Sequence, residues 1–339
     1  MRICVVRLGG MGDILLATPT LRALAAHYQT DQVDFVVGPG MEAAVAGLPY
    51  AARILAFDRK KHWGAGLPGF VKILKSEGRY ELFLNFQPSV KTLTLSALAQ
   101  PKQTIVFKKD RRKQQSTGRV RHAIDDFAKE LAPLGIAVTD RQLDFFVPEA
   151  ARLSLAAKLD IGTPFIAINP AGTRDINRWP PKRFAELIER LDAIGRRVLL
   201  LGGPSDVALA QEIAGLAKVP VENTAGKLTV KELGALLEKA ACVVTGDTGP
   251  LHIASAVKAP IVCLSGAADP DRTGPTRPGD LVVINRELSC VPCQARSCKR
   301  GDIACMTQMP VDWVLDAILA SPGLAPLDHP LRLREGGKL

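Results

Sequence analysis

The sequence predicts an α/β protein made of two facing doubly wound domains with a cleft between them. Three observations lead there. Short apolar runs alternate with amphipathic helical runs along most of the chain, and this pattern lapses near the middle and then starts afresh. The apolar runs lack strict polar alternation, as strands covered by helices on both faces do. With 339 residues, 47% of them apolar, the chain exceeds one ordinary core and has ample material for two.

The elements follow in order. Residues 3–6, 33–37, 82–85 and 104–107 read as strands of a first parallel sheet, with helices at 21–28, 70–75 and 90–98 between them. The first strand passes through the turn Arg7-Leu8-Gly9-Gly10-Met11-Gly12-Asp13 into a helical run over 14–24, which Pro19 is expected to interrupt. The pattern becomes irregular at 146–149 and restarts at 165–170. A first domain is therefore assigned to 1–155, a second to 156–325 and a tail to 326–339. In the second domain, strands at 165–169, 197–201, 242–245 and 260–264 alternate with helices at 182–194, 207–217, 230–239 and 252–257.

The glycine turn holds the first candidate residue. A strand that runs through glycines into a helix presents backbone N–H groups and a positive dipole end at one spot, so Asp13 there is either a helix cap or a functional acid. The turn is not a dinucleotide fingerprint, because Gly9, Gly10 and Gly12 do not have the G-x-G-x-x-G spacing; nor is it a P-loop, because no Gly-Lys-Ser/Thr follows.

A second turn, Thr245-Gly246-Asp247-Thr248-Gly249-Pro250-Leu251-His252, puts a hydroxyl and free backbone N–H groups at a helix start, which suits a phosphate. His252 reads either as a donor to a diphosphate or as a half-buried structural histidine. Asp247 beside such a site reads as a cap or as a partner for ligand hydroxyls. A third loop, 169–180, carries Arg174 and Arg178, suited to neutralising a diphosphate. Two such loops in one domain favour a nucleotide diphosphate site.

Of the net charge of +10, residues 1–155 hold +8, from 22 Lys and Arg against 14 Asp and Glu. The densest stretch is Lys108, Lys109, Arg111, Arg112 and Lys113, in a polar loop continuing to Arg119 and Arg121. It is either a solvated basic loop or a surface for an anionic partner: a phosphorylated substrate, an acidic membrane face or nucleic acid. Nucleic acid is disfavoured, since no aromatic-interleaved basic motif or groove-reading helix accompanies the charge. No run of apolar residues is long enough to span a membrane and no secretory leader is evident, so a cytoplasmic location is expected.

Four of the seven cysteines cluster as Cys290-x2-Cys293-x4-Cys298-x6-Cys305. The spacing suits a structural zinc or iron, with free thiols and disulfides as the alternatives. Cys4, Cys242 and Cys263 fall in strand runs and read as core residues.

The segments RLGGMGDILLATPTLRAL, NRWPPKRFAELIERL, TAGKLTVKELGALLEKA and, most specifically, GDTGPLHIASAVKAPIVCLSGAADPDRTGP resemble glycosyltransferase family 9, the heptosyltransferases of lipopolysaccharide core assembly. The resemblance covers residues 1 to 315 in order. It implies a GT-B fold of two Rossmann-like domains, an N-terminal half for the acceptor and a C-terminal half for a nucleotide-activated heptose. It also implies inversion at the anomeric carbon with no cofactor or metal in catalysis. Asp13 falls at the family's general-base position. Thr173, Arg174, Arg178, Asp247, Thr248, Gly249 and His252 fall at donor-binding positions, whereas Gly10, Lys108, Arg111, Arg112 and Lys113 are candidate acceptor contacts. The implied partners are ADP-heptose, a phosphorylated core acceptor and, transiently, the cytoplasmic face of the inner membrane. A different nucleotide sugar or a protein acceptor is the alternative. Asn177 departs from the family, which commonly has Lys there, and Arg174 or Arg178 is the candidate replacement for that charge.

Overall fold

The structure, a computed structural model, describes residues 1–108, 120–172 and 174–324. The chain divides into two compact units, Met1–Phe146 and Val147–Leu339.

The first unit is a five-stranded parallel sheet of β1 (Ile3–Arg7), β2 (Val33–Val37), β3 (Ala51–Ala56), β4 (Leu82–Asn85) and β5 (Gln103–Val106), in the order β3-β2-β1-β4-β5. Helices α1 (Met11–His27), α2 (Leu67–Leu74), α3 (Val90–Ala99) and α4 (Ala123–Ala128) accompany it. Because β1 feeds β2 on one side while β4 lies on the other, strand order reverses between β1 and β4. In an open α/β sheet that reversal opens a crevice outside the carboxyl ends of the strands. One core cluster joins Cys4, Val6 and Val36 to Phe57, Phe83 and Leu95.

Helix α1 runs unbroken through Pro19, contrary to the expected interruption. A proline leaves the carbonyl four residues back without a donor, here that of Leu15. The Thr18 hydroxyl supplies one, donating to Leu15 O at 2.6 Å while accepting the Asp144 N–H at 2.8 Å. The freed carbonyl is satisfied locally, and the same threonine ties residues near the end of the unit to the helix.

The second unit has six parallel strands: β6 (Ile166–Asn169), β7 (Val198–Leu200), β8 (Glu222–Asn223), β9 (Cys242–Gly246), β10 (Ile261–Ser265) and β11 (Leu281–Ile284). Their order is β11-β10-β9-β6-β7-β8, so the reversal lies between β6 and β9. The helices are α5 (Glu149–Lys158), α6 (Pro181–Asp192), α7 (Val207–Leu216), α8 (Val230–Leu237), α9 (Gly249–Ala256), α10 (Pro270–Thr273), α11 (Ala304–Thr307) and α12 (Val311–Leu319). The α/β architecture with parallel sheets is as expected.

Three strands were not anticipated: β3, β8 and β11. All are sheet edges. An edge strand pairs on one side only, and β3 and β8 bury none of their residues fully, so their sequences carry little of the apolar signal that marks the central strands.

Helix α5, whose first residues were grouped by sequence with the first domain, is held to α8 of the second unit. Ser154 Oγ and Lys158 Nζ each donate to Glu232 Oε1 at 2.6 Å, and Arg152 pairs with Glu238 at 2.9 Å. Glu232 also closes a capping box with Thr229 at the start of α8. Lys158 foremost, with Ser154 and the Thr229 N–H, pulls the Glu232 carboxyl down to about 2. A carboxyl whose folded pKa is depressed stabilises the fold above its unfolded value and loses that contribution as pH falls through the folded one. The melting-temperature gap between the native chain and Glu232→Gln is therefore expected to be full at about pH 6 and to close as pH falls from about 4.5 toward about 2. A gap independent of pH in thermal denaturation would rule this linkage out.

Candidate active site

The glycine turn leaves the carboxyl end of β1 at the reversal point of the first sheet. Gln87, in the connection from β4 to α3, reaches across the reversal, where its Oε1 accepts the N–H groups of Leu8 at 2.8 Å and Gly9 at 3.1 Å. Two of the turn's amides are thus already occupied. Gly10 has φ +75, and a Cβ there would stand 2.7 Å from Asp13 Oδ2. Glycine is required for the backbone conformation and for the room into which the carboxylate folds back.

Helix α1 begins after Gly10, so Asp13 is its third residue. Of the two sequence readings of Asp13, capping is not what the structure displays: among the described residues no backbone N–H donates to it. Its Oδ2 is paired with the Arg7 guanidinium, the Asp13 side chain staying 43% exposed. Arg7 is itself fixed, since Nη1 donates to Phe86 O at 3.1 Å and the guanidinium lies over the Phe127 ring at 5.8 Å. A half-exposed carboxylate held by one oxygen, with Oδ1 free of partners among the described residues, can accept a proton from a group brought to it.

In the second unit, the loops after β6 and β9 both start at the reversal between those strands. Asn169 at the end of β6 stitches them together, with Nδ2 donating to Thr245 Oγ1 at 2.9 Å and to Thr248 Oγ1 at 3.2 Å. Thr248 precedes α9 in extended conformation, and its hydroxyl also lies 3.2 Å from Thr245 Oγ1. The hydroxyl therefore faces inward, which leaves the helix N-terminus at Gly249 as the anion-attracting feature of this turn.

Asp247 is held by two groups. Thr273 Oγ1 donates to its Oδ2 at 2.8 Å, and His252 Nε2 stands 3.4 Å from its Oδ1. His252 is nearly buried, consistent with the structural reading weighed above, yet it is directed at the candidate site residue Asp247. Thr273 ends the short helix α10, which Asp269 caps by accepting the Asp271 N–H at 3.1 Å; Gln294 donates to the other Asp269 oxygen at 3.0 Å. Burial raises the Asp269 carboxyl above its ordinary value, and these hydrogen bonds oppose the shift.

The two arginines of the loop after β6 differ. Arg178 spends its donors locally, on Gly172 O at 3.0 Å and Asp175 at 2.7 Å. Arg174 is exposed and makes one long contact, 3.4 Å to Ala295 O. Arg174 is therefore the freer cation beside Asn177. Lys108 is exposed, with its N–H bonded to Glu130 at 3.0 Å. Thr173, Arg111, Arg112 and Lys113 lie outside the described residues.

Sequence reasoning did not assign roles to Arg7, Gln87 or Thr273. Arg7 and Thr273 stand inside the quoted motif segments, but neither spacing nor residue type reveals their partners. Gln87 carries no sequence signal, because only the adjacency of β1 and β4 brings it to the turn.

The expected metal cluster is not supported. Among the described residues, no group of three or more His, Cys, Asp or Glu side chains is disposed to hold a metal ion. Cys290 and Cys293 are exposed, Cys298 is half-buried and Cys305 is drawn by α11 into the core beside Met306. Cys305 packs inward on α11, while the other three lie in the loop before it. Burial, with the nearby thiols Cys293, Cys290 and Cys298 adding to it, pushes the Cys305 thiol up. Cys4, Cys242 and Cys263 are free, buried core residues, and burial pushes Cys242 up to about 12.

Comparison with known proteins places this geometry. Lipopolysaccharide heptosyltransferase 3 of Escherichia coli is 27% identical over 282 residues, covering 76% of this chain and 81% of that protein. The crystal structure of a family 9 glycosyl transferase from Veillonella parvula superposes with a TM-score of 0.79 at 22% identity, covering 93% of this chain and 95% of the other. The structure of E. coli heptosyltransferase WaaC with ADP-2-deoxy-2-fluoro heptose has a TM-score of 0.62 at 23% identity, covering 83% and 92%. The fold is thus GT-B. The sequence model of glycosyltransferase family 9 (heptosyltransferase) matches residues 70–304, more than half of the chain and including the loops after β6 and β9, and the protein belongs to that family.

Proposed function

We propose that the chain transfers heptose from ADP-heptose to the inner core of lipopolysaccharide, inverting the anomeric centre and using no catalytic metal. The observation that carries the reading is the Arg7-held, half-exposed Asp13 at the reversal point of the first sheet, in a chain whose second unit has the family's Asp247 to His252 turn at its own reversal point.

In this reading Asp13 is the general base. It takes the proton of the acceptor hydroxyl as that oxygen bonds to the anomeric carbon, while the bond from that carbon to the diphosphate oxygen breaks and ADP leaves. Attack opposite the leaving group inverts the centre. Gly249 at the start of α9 attracts the diphosphate, and Arg174, with Thr173 and Arg178 of the same donor loop, stabilises charge developing on it. Asp247, oriented by Thr273 and His252, accepts from donor hydroxyls. The first unit takes the acceptor, with Gly10 giving close approach and Lys108, Arg111, Arg112 and Lys113 meeting its phosphates. No helix of the described residues is long and apolar enough to cross a membrane, so the reading puts the chain peripherally at the membrane that carries the acceptor.

The test is turnover with ADP-heptose and defined inner-core acceptors, followed by ADP release and product mass. Acceptor-dependent ADP release with a mass gain of one heptose is expected. Consumption of a different nucleotide sugar, with none of ADP-heptose, would overturn the donor assignment.

A further inference from the structure

We propose that the outer face of α3 is a docking surface for an anionic lipid bilayer, set beside the acceptor site so that a lipid-linked acceptor reaches Asp13. The proposal rests on the functional reading above for its purpose, but the surface itself rests on residues of the first unit.

The sequence of α3, Val-Lys-Thr-Leu-Thr-Leu-Ser-Ala-Leu-Ala, contains one charged residue in ten. Its inner face is accounted for: Thr92, Leu95, Ser96 and Ala99 are buried, and Leu95 and Ala99 join the core cluster. Its outer face is apolar as well, with Val90 74% exposed, Leu93 44% and Leu98 43%. A surface helix normally turns charged residues outward, as α6 does with Lys182, Arg183, Glu186 and Glu189 on a chain segment of the same class. Aliphatic residues on both faces mark a helix with a second apolar neighbour.

Charge around the helix selects that neighbour. Residues 59–102 carry eight Lys and Arg against two acids, Glu77 and Glu81. Both acids are engaged, Glu81 with Lys102 at 2.8 Å and Glu77 with Arg53 at 3.5 Å. The basic stretch at 59–61 is brought against the start of α3, where Lys91 Nζ donates to Arg59 O at 2.7 Å and lies over the Trp63 ring at 5.3 Å. At the other end Lys75 Nζ reaches Gln100 at 2.8 Å. Exposed aliphatic side chains rimmed by lysines fit the apolar boundary and anionic headgroups of a bilayer, in which each near-surface cation and each inserted side chain adds to binding. A second protein copy would bring the same positive rim against itself.

The placement serves the reaction. Val90 follows three residues after Gln87, the residue that clasps the glycine turn of Asp13, so the first turn of α3 and the candidate base stand at the same end of one sheet.

The full chain is expected to co-sediment with vesicles of phosphatidylethanolamine and phosphatidylglycerol at least about tenfold more tightly than with phosphatidylcholine vesicles, and to lose that preference in high salt. The double variant Val90→Ser/Leu93→Ser is expected to weaken binding by at least about tenfold with unchanged circular-dichroism melting, since both side chains face outward. Lys60→Glu/Lys61→Glu is expected to remove the preference for anionic lipid. No binding to either vesicle, equal binding to both, or double variants that bind like the native chain would overturn the proposal. So would a dimer, seen by light scattering, that Val90→Ser/Leu93→Ser dissolves, or duplex DNA that displaces the vesicles. Turnover of ADP-heptose on a delipidated core fragment separates the two readings. Vesicle binding without any turnover removes the catalytic reading and leaves the surface, while turnover without vesicle binding removes the surface and leaves catalysis.

Discussion

Asp13→Asn is expected to leave ADP affinity unchanged while lowering turnover with ADP-heptose by at least about a hundredfold, the usual scale of a general base. The substitution keeps the shape of the side chain and one acceptor oxygen for Arg7, but removes the basic carboxylate. The Arg7–Asp13 pair is partly exposed, so loss of its charge complement is expected to cost the fold about 1 kcal/mol or less. Thermal melting close to that of the native chain, together with the collapse in turnover, separates the chemical role from a structural one. Near-normal turnover would exclude Asp13 as the base. Gly10 bears on the same result: any side chain there meets Asp13 Oδ2, so the rotamer of Asp13 belongs to the turn as much as to the aspartate.

Asp247→Ala is expected to weaken ADP-heptose binding by about tenfold to a hundredfold, the scale of one lost hydrogen bond to a charged group. Asp247 sits beside a helix N-terminus suited to phosphate, so the alternatives have opposite signs. Were the carboxylate directed at the diphosphate, its removal would relieve repulsion and tighten the binding of both ADP and ADP-heptose. Thr273 and His252 hold both of its oxygens, and in the proposed reading the carboxylate accepts from ligand hydroxyls. Isothermal titration with ADP and ADP-heptose reads the sign directly, and unchanged affinity for both in a folded variant would remove Asp247 from the donor site.

Much of this was legible in the chain. Central strands such as β1, β2, β4 and β9 are buried on both faces and so are written mostly in apolar residues, and the turns after β1, β2 and β9 are written in glycine. Asp13 and Asp247 stand out because an acid in a glycine turn before a helix is chemically conspicuous. The edge strands β3, β8 and β11, paired on one side, were not legible, and neither was the continuity of α1 through Pro19, which depends on a hydroxyl one residue before the proline. The cysteine spacing suggested a ligand set, but spacing along a chain does not determine direction, and α11 turns Cys305 into the core.

The sequence by itself determined the alternation of strand and helix, the two-unit organisation, the family and the two acids worth examining, because periodicity, glycine and charge are local properties. Tertiary structure alone decided what holds those acids. Gln87 meets the glycine turn, and Thr273 meets Asp247, only because neighbouring parallel strands place the connections that follow them side by side at the carboxyl end of each sheet, and no local pattern encodes that adjacency.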